Sequence, residues 1–295
     1  GRRVALLGHP ASVTADLTHS LDALMACPDL SVTAAFGPQH GMRGDLQDNM
    51  MESPDFTDPR HGIPVFSLYG EVRRPTEQAM STFDVLLVDM QDLGCRIYTF
   101  VTTLLYVLEE SAKHGKAVWV LDRPNPAGRP VEGTTLLPGW ESFVGAGPMP
   151  MRHGMTLGEM GRWFIDHFKL DVDYRVIEMA DWRPQAAPGF GWPLGERNWI
   201  NPSPNAANLS MARCYPGTVL LEGTTLSEGR GTTRPLELFG APEDEVLITL
   251  DPTATAALGL TASDISRHCQ WRCQGASRAC PAIGFGPAGV HRRRS

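Results

Sequence analysis

Phe83-Asp84-Val85-Leu86-Leu87-Val88-Asp89-Met90-Gln91-Asp92-Leu93-Gly94 decides the fold. An unbroken apolar run, too short for a helix and closed by carboxylates, has the form of a strand buried on both faces, and such strands belong to parallel sheets. Similar runs flank it at Arg3 to Gly8, Val32 to Phe36, Val65 to Tyr69 and Ala117 to Leu121. Helical patterns separate them, from about Asp16 to Ala26 and from about Thr99 to His114. Leu17, Leu21, Leu24 and Met25 share one helical face, as do Val101, Leu104, Leu105 and Leu108, and Gly115 stands in C-cap position. The alternation predicts an α/β fold built on a doubly wound, Rossmann-like parallel sheet.

Ligands of open α/β sheets bind outside the carboxyl ends of the strands. Those ends are polar here: Gly8-His9-Pro10, Phe36 to Gly44 with Gln39, His40 and Arg43, Tyr69-Gly70-Glu71, Asp89 to Asp92 followed by Arg96, and Asp122-Arg123-Pro124-Asn125. No GxGxxG follows the first strand, so a dinucleotide site of the usual kind is not expected.

From Thr134 to about Asn208 the pattern loosens into Pro-, Gly- and Trp-rich loops around one helix, Leu157 to Phe168, and one strand, Tyr174 to Glu178. Long loops of this kind cover sites. A second, smaller unit begins near Asn205, with a short helix, a strand from about Thr218 to Leu221, and the glycine-rich stretch Leu221 to Thr233. After about Ser266 apolar periodicity is lost. The expected division is residues 1–204, a Rossmann-like catalytic domain; 205–265, the start of a small α+β domain; and 266–295, a disordered or aberrant tail.

A net charge of −7 with no basic run before the tail argues against a nucleic-acid partner, and no apolar stretch is long enough for a membrane span. Cys27, Cys95 and Cys214 lie singly in apolar patterns and read as buried thiols, while Cys269, Cys273 and Cys280 should form neither a metal site nor disulfides. The chain starts without Met or signal segment, which leaves the compartment open. Oligomeric state is equally open.

Asp89, Asp92, Asp122, Glu132 and Glu222 each follow an apolar strand or sit among glycines, where a carboxylate either serves chemistry or braces the fold. Glu222, after Val219-Leu220-Leu221 and before Gly223, is expected to project into a cleft as a general acid of raised pKa. Glu109 and Glu110 read as surface. His40, between Gln39 and Gly41, is poorly placed for a core and is taken as functional; His153, before a helix, is either functional or a brace; His9 reads as a core residue. Arg43, Arg96, Arg123 and Arg230 lie in strand-end loops or glycine-rich turns, suited to a substrate carboxylate or to bracing an aspartate. No HxH, HExxH or CxxC spacing occurs, so no metal or other cofactor is expected, and without GxSxG a serine hydrolase is a weak reading.

Taken in order, these motifs resemble the exo-β-N-acetylmuramidase family, the NamZ-type glycoside hydrolases. The matching stretches are Gly37-Pro38-Gln39-His40-Gly41-Met42-Arg43-Gly44, Val65 to Gly70, Asp84 to Gly94, Leu121-Asp122-Arg123-Pro124-Asn125-Pro126, Val131-Glu132-Gly133, Arg152-His153-Gly154, Asn201-Pro202-Ser203-Pro204-Asn205 and Glu222 to Thr232. The resemblance implies a Rossmann-like domain and a smaller α+β domain with the site between them. It also implies removal of N-acetylmuramic acid from the non-reducing end of peptidoglycan fragments, in cell-wall turnover and recycling. Catalysis would fall to Glu222, Asp92, Glu52 and His40, and binding to Gln39, Arg43, Arg96, Asp122, Arg123, Glu132, His153, Asn205, Ser227 and Arg230, with Arg43 or Arg230 clamping the lactyl carboxylate.

Two departures stand out. Many members carry Glu where this chain has Gln39, which cannot ionise, so Glu52, Glu222 or Asp92 must serve instead. The family's small domain continues well past Pro242 with a His-containing segment not found here, so the second domain reads as truncated. Two other functions therefore stand beside the glycosidase: a muropeptide-binding protein with eroded activity, and an amide or ester hydrolase of cell-wall peptides.

Overall fold

A computed structural model describes residues 1–44, 52–184, 192 and 197–241, with the backbone of the short strands at 246–249 and 291–292. In chain order the first half runs β1 (Arg3–Gly8), α1 (Ser20–Met25), β2 (Ser31–Gly37), β3 (Phe56–Thr57), β4 (Pro64–Ser67), α2 (Glu77–Met80), β5 (Val85–Asp89), α3 (Thr99–His114) and β6 (Ala117–Leu121). There follow β7 (Glu132–Thr135), β8 (Pro150–Arg152), α4 (Leu157–Phe168), β9 (Tyr174–Ile177), α5 (Leu209–Thr218), a 3-10 turn at Val219–Gly223, β10 (Leu238–Phe239), β11 (Val246–Thr249) and β12 (His291–Arg292).

Seven strands form the main sheet in the order β3-β4-β2-β1-β5-β6-β9, every neighbouring pair parallel except β3 with β4. The chain winds outward from β1 to β2 and β4, then returns to β5 and winds the other way through β6 to β9. This is the doubly wound arrangement expected from the alternating runs, and it reverses between β1 and β5. Side-chain alternation along the strands divides the core. Ala5, Leu7, Leu86, Val88, Val118 and Val120 meet Phe100, Val101, Leu104 and Leu108 of α3 and Met160 and Phe164 of α4. Val4, Leu6, Val85, Leu87 and Ala117 cluster with Leu21 of α1 and with Met42.

The helix expected from Asp16 begins at Ser20. Asp16 instead closes a turn, accepting from Thr18 Oγ1 at 3.1 Å and from Thr14, with Leu17 at φ +67°, and His19 caps the helix through its ring nitrogen. α4 starts where its capping box places it, Thr156 and Glu159 satisfying each other's backbone N–H groups. α3 ends on Gly115 in the left-handed conformation. Glu110, expected at the surface, is buried on α3, its charge met by Lys113 at 2.8 Å and Arg74 at 3.4 Å.

One element differs in kind. The apolar run before Glu222 is not a strand: α5, capped by Asn208, passes directly into the 3-10 turn. Its alternate burial of Val219 and Leu221 is met by a tightened helical turn as well as by a strand, and Cys214, Leu221 and Phe239 form the small core beneath it. Outside the main sheet, β7 pairs antiparallel with β8, and β10, β11 and β12 pair antiparallel in that order. The tail expected at 266–295, with Cys269, Cys273 and Cys280, otherwise lies outside the described residues.

Candidate active site

Because β1, β2, β4, β5 and β6 are parallel, the loops carrying His9, His40, Tyr69, Asp92 and Asp122 leave one edge of the sheet. The crevice of such a sheet opens where the winding reverses, between the ends of β1 and β5. His9 stands on one side and Gln91 and Asp92 on the other, tied by a hydrogen bond from the Gln91 N–H to His9 Nε2 at 2.8 Å. Burial pushes the His9 imidazole down to about 3, and the Arg123 charge adds to it, so this ring is neutral.

Asp92 is 4% exposed and His153 3%. Asp92 Oδ2 accepts from the Gly94 N–H at 2.6 Å and lies 3.2 Å from His153 Nε2. His153 Nδ1 accepts from the Met155 N–H, while its Nε2, although near the carboxylate, makes no hydrogen bond among the described residues. Gln91 is pinned by its amide nitrogen, which donates to the Asp92 and Pro124 carbonyls at 2.9 and 3.0 Å. Two buried acceptors are left over: Asp92 Oδ1 and Gln91 Oε1 have no hydrogen-bond partner among the described residues. Each such acceptor costs about 1–3 kcal/mol until a donor arrives.

The Gln39-His40 turn adjoins this crevice. Gly41 N–H closes it on the Pro38 carbonyl, and His40 is held at φ +71°, a conformation rare outside glycine that concentrates at functional sites. Gln39 Oε1 accepts from Thr99 Oγ1 at 2.8 Å, at the first turn of α3. The preceding residue, Tyr98, is buried with its hydroxyl near Ser203, and its ring packs edge-on against Tyr215 of α5 at 6.3 Å. Burial raises the Tyr98 phenol, and the Asp92 charge adds to the effect; burial raises Tyr215 too, with contributions from Cys95 and Glu222. The two rings thus link Asp92 to the glycine-rich loop after α5. There Arg230 is paired with Glu222 and, at 2.7 Å, with Glu228. Glu222 itself is exposed, its side chain 40% accessible, not enclosed as expected.

Several candidates are engaged in bracing. Asp89 and Arg123 form a buried two-pronged ion pair at 2.5 and 2.9 Å, with Ser20 Oγ donating to the same carboxylate. Asp122 holds the start of α4, accepting from Thr156 Oγ1 at 2.7 Å and the Gly158 N–H at 2.9 Å; burial raises its pKa. Arg96 Nη1 donates to the Thr134 and Met149 carbonyls, both at 2.7 Å, and Glu132 pairs with Arg152 at 2.8 Å, so both secure β7 and β8. Arg43 bridges Asp22 at 3.0 Å and Asp58 at 3.2 Å. Glu52, exposed, pairs with Arg73 at 3.1 Å. Asn205 lies half-buried in the turn closed by the Ala206 N–H on the Ser203 carbonyl, and Ser227 exchanges backbone hydrogen bonds with Gly240. A depression lined by Arg162, Asp166, Lys169 and Tyr174 lies at the opposite edge of the sheet and gathers none of these residues.

Two family models account for nearly the whole described chain: exo-beta-N-acetylmuramidase NamZ, N-terminal, over residues 4–210, and NamZ, C-terminal, over 213–261. The chain belongs to the exo-β-N-acetylmuramidase NamZ family. α5 spans the junction of the two matched segments. A relative, peptidoglycan beta-N-acetylmuramidase NamZ of Bacillus subtilis, is 42% identical over 243 residues, covering 82% of this chain and 58% of its own length. This chain thus spans little more than half of that relative. Two solved DUF1343 family proteins of Bacteroides fragilis share the fold at 33% identity. Their TM-scores are 0.73 and 0.70, covering 81% and 82% of this chain and 60% and 63% of theirs.

Gln91, Tyr98, Tyr215 and Glu228 were not singled out by the sequence. The tyrosines sit in apolar patterns and read as core, which by burial they are. Only their packing across the junction gives them a place at the site. Gln91 had a signal, its position between Asp89 and Asp92 at the end of β5.

Proposed function

We propose that this chain is a glycoside hydrolase that removes β-linked N-acetylmuramic acid from the non-reducing end of peptidoglycan fragments. Membership of the NamZ family and the named activity of the Bacillus subtilis relative support the reading. The observation that carries it is the pair of buried acceptors at the crevice, Asp92 Oδ1 and Gln91 Oε1, which have no partner among the described residues and which the hydroxyl and amide donors of a sugar would satisfy.

Glycoside hydrolysis uses two carboxylates around the scissile bond. In this reading Asp92, oriented by Gly94 and His153, is one, and Glu222, across the Tyr98–Tyr215 pair, is the other. Gln39, held by Thr99 at the start of α3, and His40 beside it would contribute further contacts to the sugar. The turn at residues 201–205, with Pro202 near the His9 ring and Ser203 near Tyr98, adjoins these groups. Arg43 and Arg230 have carboxylate partners already, so a lactyl clamp from either requires exchange of an existing ion pair.

Turnover of a chromogenic β-N-acetylmuramide by the full chain tests the proposal, and release of the chromophore is expected. A second reading rests on Gln39, an amide held by Thr99 where many family members have Glu: a muropeptide-binding protein without turnover. Binding of the muramide with no release of chromophore would favour it.

A further inference from the structure

The segment between β7 and β8 carries a cluster of exposed apolar side chains. Trp140 is 73% exposed, Leu137 66% and Val144 51%. An exposed apolar cluster on one short loop calls for an explanation where a lone exposed residue does not. The loop is built to hold its shape: Trp140 N–H closes a turn on the Leu137 carbonyl, Gly139 N–H donates to Glu141 at 2.8 Å, and Ser142 and Gly145 exchange backbone hydrogen bonds. Phe143 anchors it, packed against Tyr69 and Tyr106 with ring centroids 5.8 Å away in each case, and the Arg73 guanidinium spans Tyr69 and Phe143.

Both stalks of this loop are fastened to the candidate site. Arg96, just after Asp92, donates to the carbonyls of Thr134 and Met149, and His153 follows directly on β8. The tip reaches Tyr69, beyond the end of β4, whereas Asp92 follows β5. Those strands stand three places apart in the sheet, or about 15 Å at ordinary strand spacing. The loop thus runs along the carboxyl edge from the reacting end of the crevice outward, over a distance suited to an extended saccharide and not to one ring.

We propose that residues 136–147 form the leaving-group platform of this site, with the Trp140 indole stacking on a sugar of the glycan beyond the scissile bond. The proposal rests on the muramidase reading above. A saccharide is the occupant because the platform continues from the crevice, and because a flat indole offers the apolar face of a sugar ring a large, rigid contact at little entropic cost.

The test compares wild type, Trp140→Ala and Trp140→Phe on two substrates. One is a glycan tetrasaccharide with N-acetylmuramic acid at its non-reducing end; the other is the chromogenic β-N-acetylmuramide, which has no second sugar. The ratio of kcat/KM for the tetrasaccharide over that for the muramide is expected to fall roughly tenfold in Trp140→Ala, through KM, with Trp140→Phe keeping most of it. An unchanged ratio overturns the proposal. If wild type cleaves neither substrate, the muramidase reading fails by itself, and the platform is judged by calorimetric affinity for the tetrasaccharide. A roughly tenfold weaker Kd in Trp140→Ala then upholds it; equal affinity, or no binding by wild type, overturns it. A wild-type dimer that Trp140→Ala converts to monomer would make the patch a contact between copies, and that too overturns the proposal.

Discussion

The Gly94 N–H donates to Asp92 Oδ2 at 2.6 Å, and it does so from a backbone that only glycine fits: φ is +76°, and a Cβ would stand 2.3 Å from Asn125 Oδ1 and 2.6 Å from the Ala127 Cβ. Asn125 cannot yield freely, since its amide donates to the Met155 carbonyl and its oxygen accepts from the Ala127 N–H. Gly94→Ala is therefore expected to cost about 2 kcal/mol or more of stability and to lower kcat more than it raises KM. Chemical denaturation and steady-state kinetics check both; an unaltered denaturation midpoint would show that the fit is looser than these distances imply.

Asp92→Asn keeps the shape of the side chain and removes its charge. Turnover should drop by roughly a hundredfold or more with the thermal midpoint nearly kept, the effect of losing a reacting carboxylate. Turnover within a few-fold of wild type would move Asp92 to a bracing role beside His153.

Glu222→Gln tests the opposite side of the crevice. A loss of roughly a hundredfold in kcat with saccharide affinity retained is expected of a general acid. If activity persists, the exposed Glu222–Arg230 pair is a loop clasp and no more.

Arg43 already serves Asp22 and Asp58, and Asp22 also accepts from Arg60 and His61. Burial by itself would raise Asp22, but the bonds from Arg43 and His61 outweigh it and hold the carboxyl at about 2. Arg43→Ala should lower stability by about 1–3 kcal/mol, because Asp58 is left buried without its cation, while KM changes little. A large rise in KM with unchanged stability would restore the arginine as a substrate clamp.

His9 gives the fold a response to acid. Its ring stays neutral down to about 3 in the folded protein, chiefly through burial and then Arg123, with Asp89 opposing, whereas an unfolded histidine takes a proton near 6.5. The unfolded chain thus binds the extra proton between these values, so stability is complete above about pH 6.5 and falls as pH drops toward 3. The limit is on the order of 5 kcal/mol, at about 1.4 kcal/mol per pH unit. His19, also lowered by burial, acts in the same direction. In His9→Asn the stability of the fold between pH 6.5 and 4.5 should vary less steeply than in wild type; equal slopes would remove His9 as the cause.

Much of the fold was legible because local pattern and tertiary demand agree. Val85 to Asp89 reads as a buried parallel strand by apolar content alone, and α3 and α4 occur at the expected residues because Gly115 and Thr156 mark an end and a beginning that chain chemistry enforces locally. The parallel order also sent the polar strand ends to one edge, so His40, Asp92 and Asp122 were gathered before any distance was known. Where two conformations satisfy one pattern the sequence did not discriminate. Val219 and Leu221 bury as well in a 3-10 turn as in a strand, and the turn leaves Glu222 exposed.

The amino-acid sequence by itself thus determined the sheet, its edge and the family to which the chain belongs, since these follow from periodicity and from short motifs whose residues are neighbours in the chain. Tertiary structure alone decided which of those residues are committed and which are spare. Arg43, Arg96, Arg123 and Asp122 look alike in sequence to groups awaiting a ligand, yet each finds its partner on another element: Asp22 and Asp58, the Thr134 and Met149 carbonyls, Asp89, and Thr156. Asp92 is singled out only after that pairing, with one oxygen held by Gly94 and beside His153 and the other open to a donor. A charge's partner depends on what packing brings within a few ångströms, and no spacing along the chain encodes that.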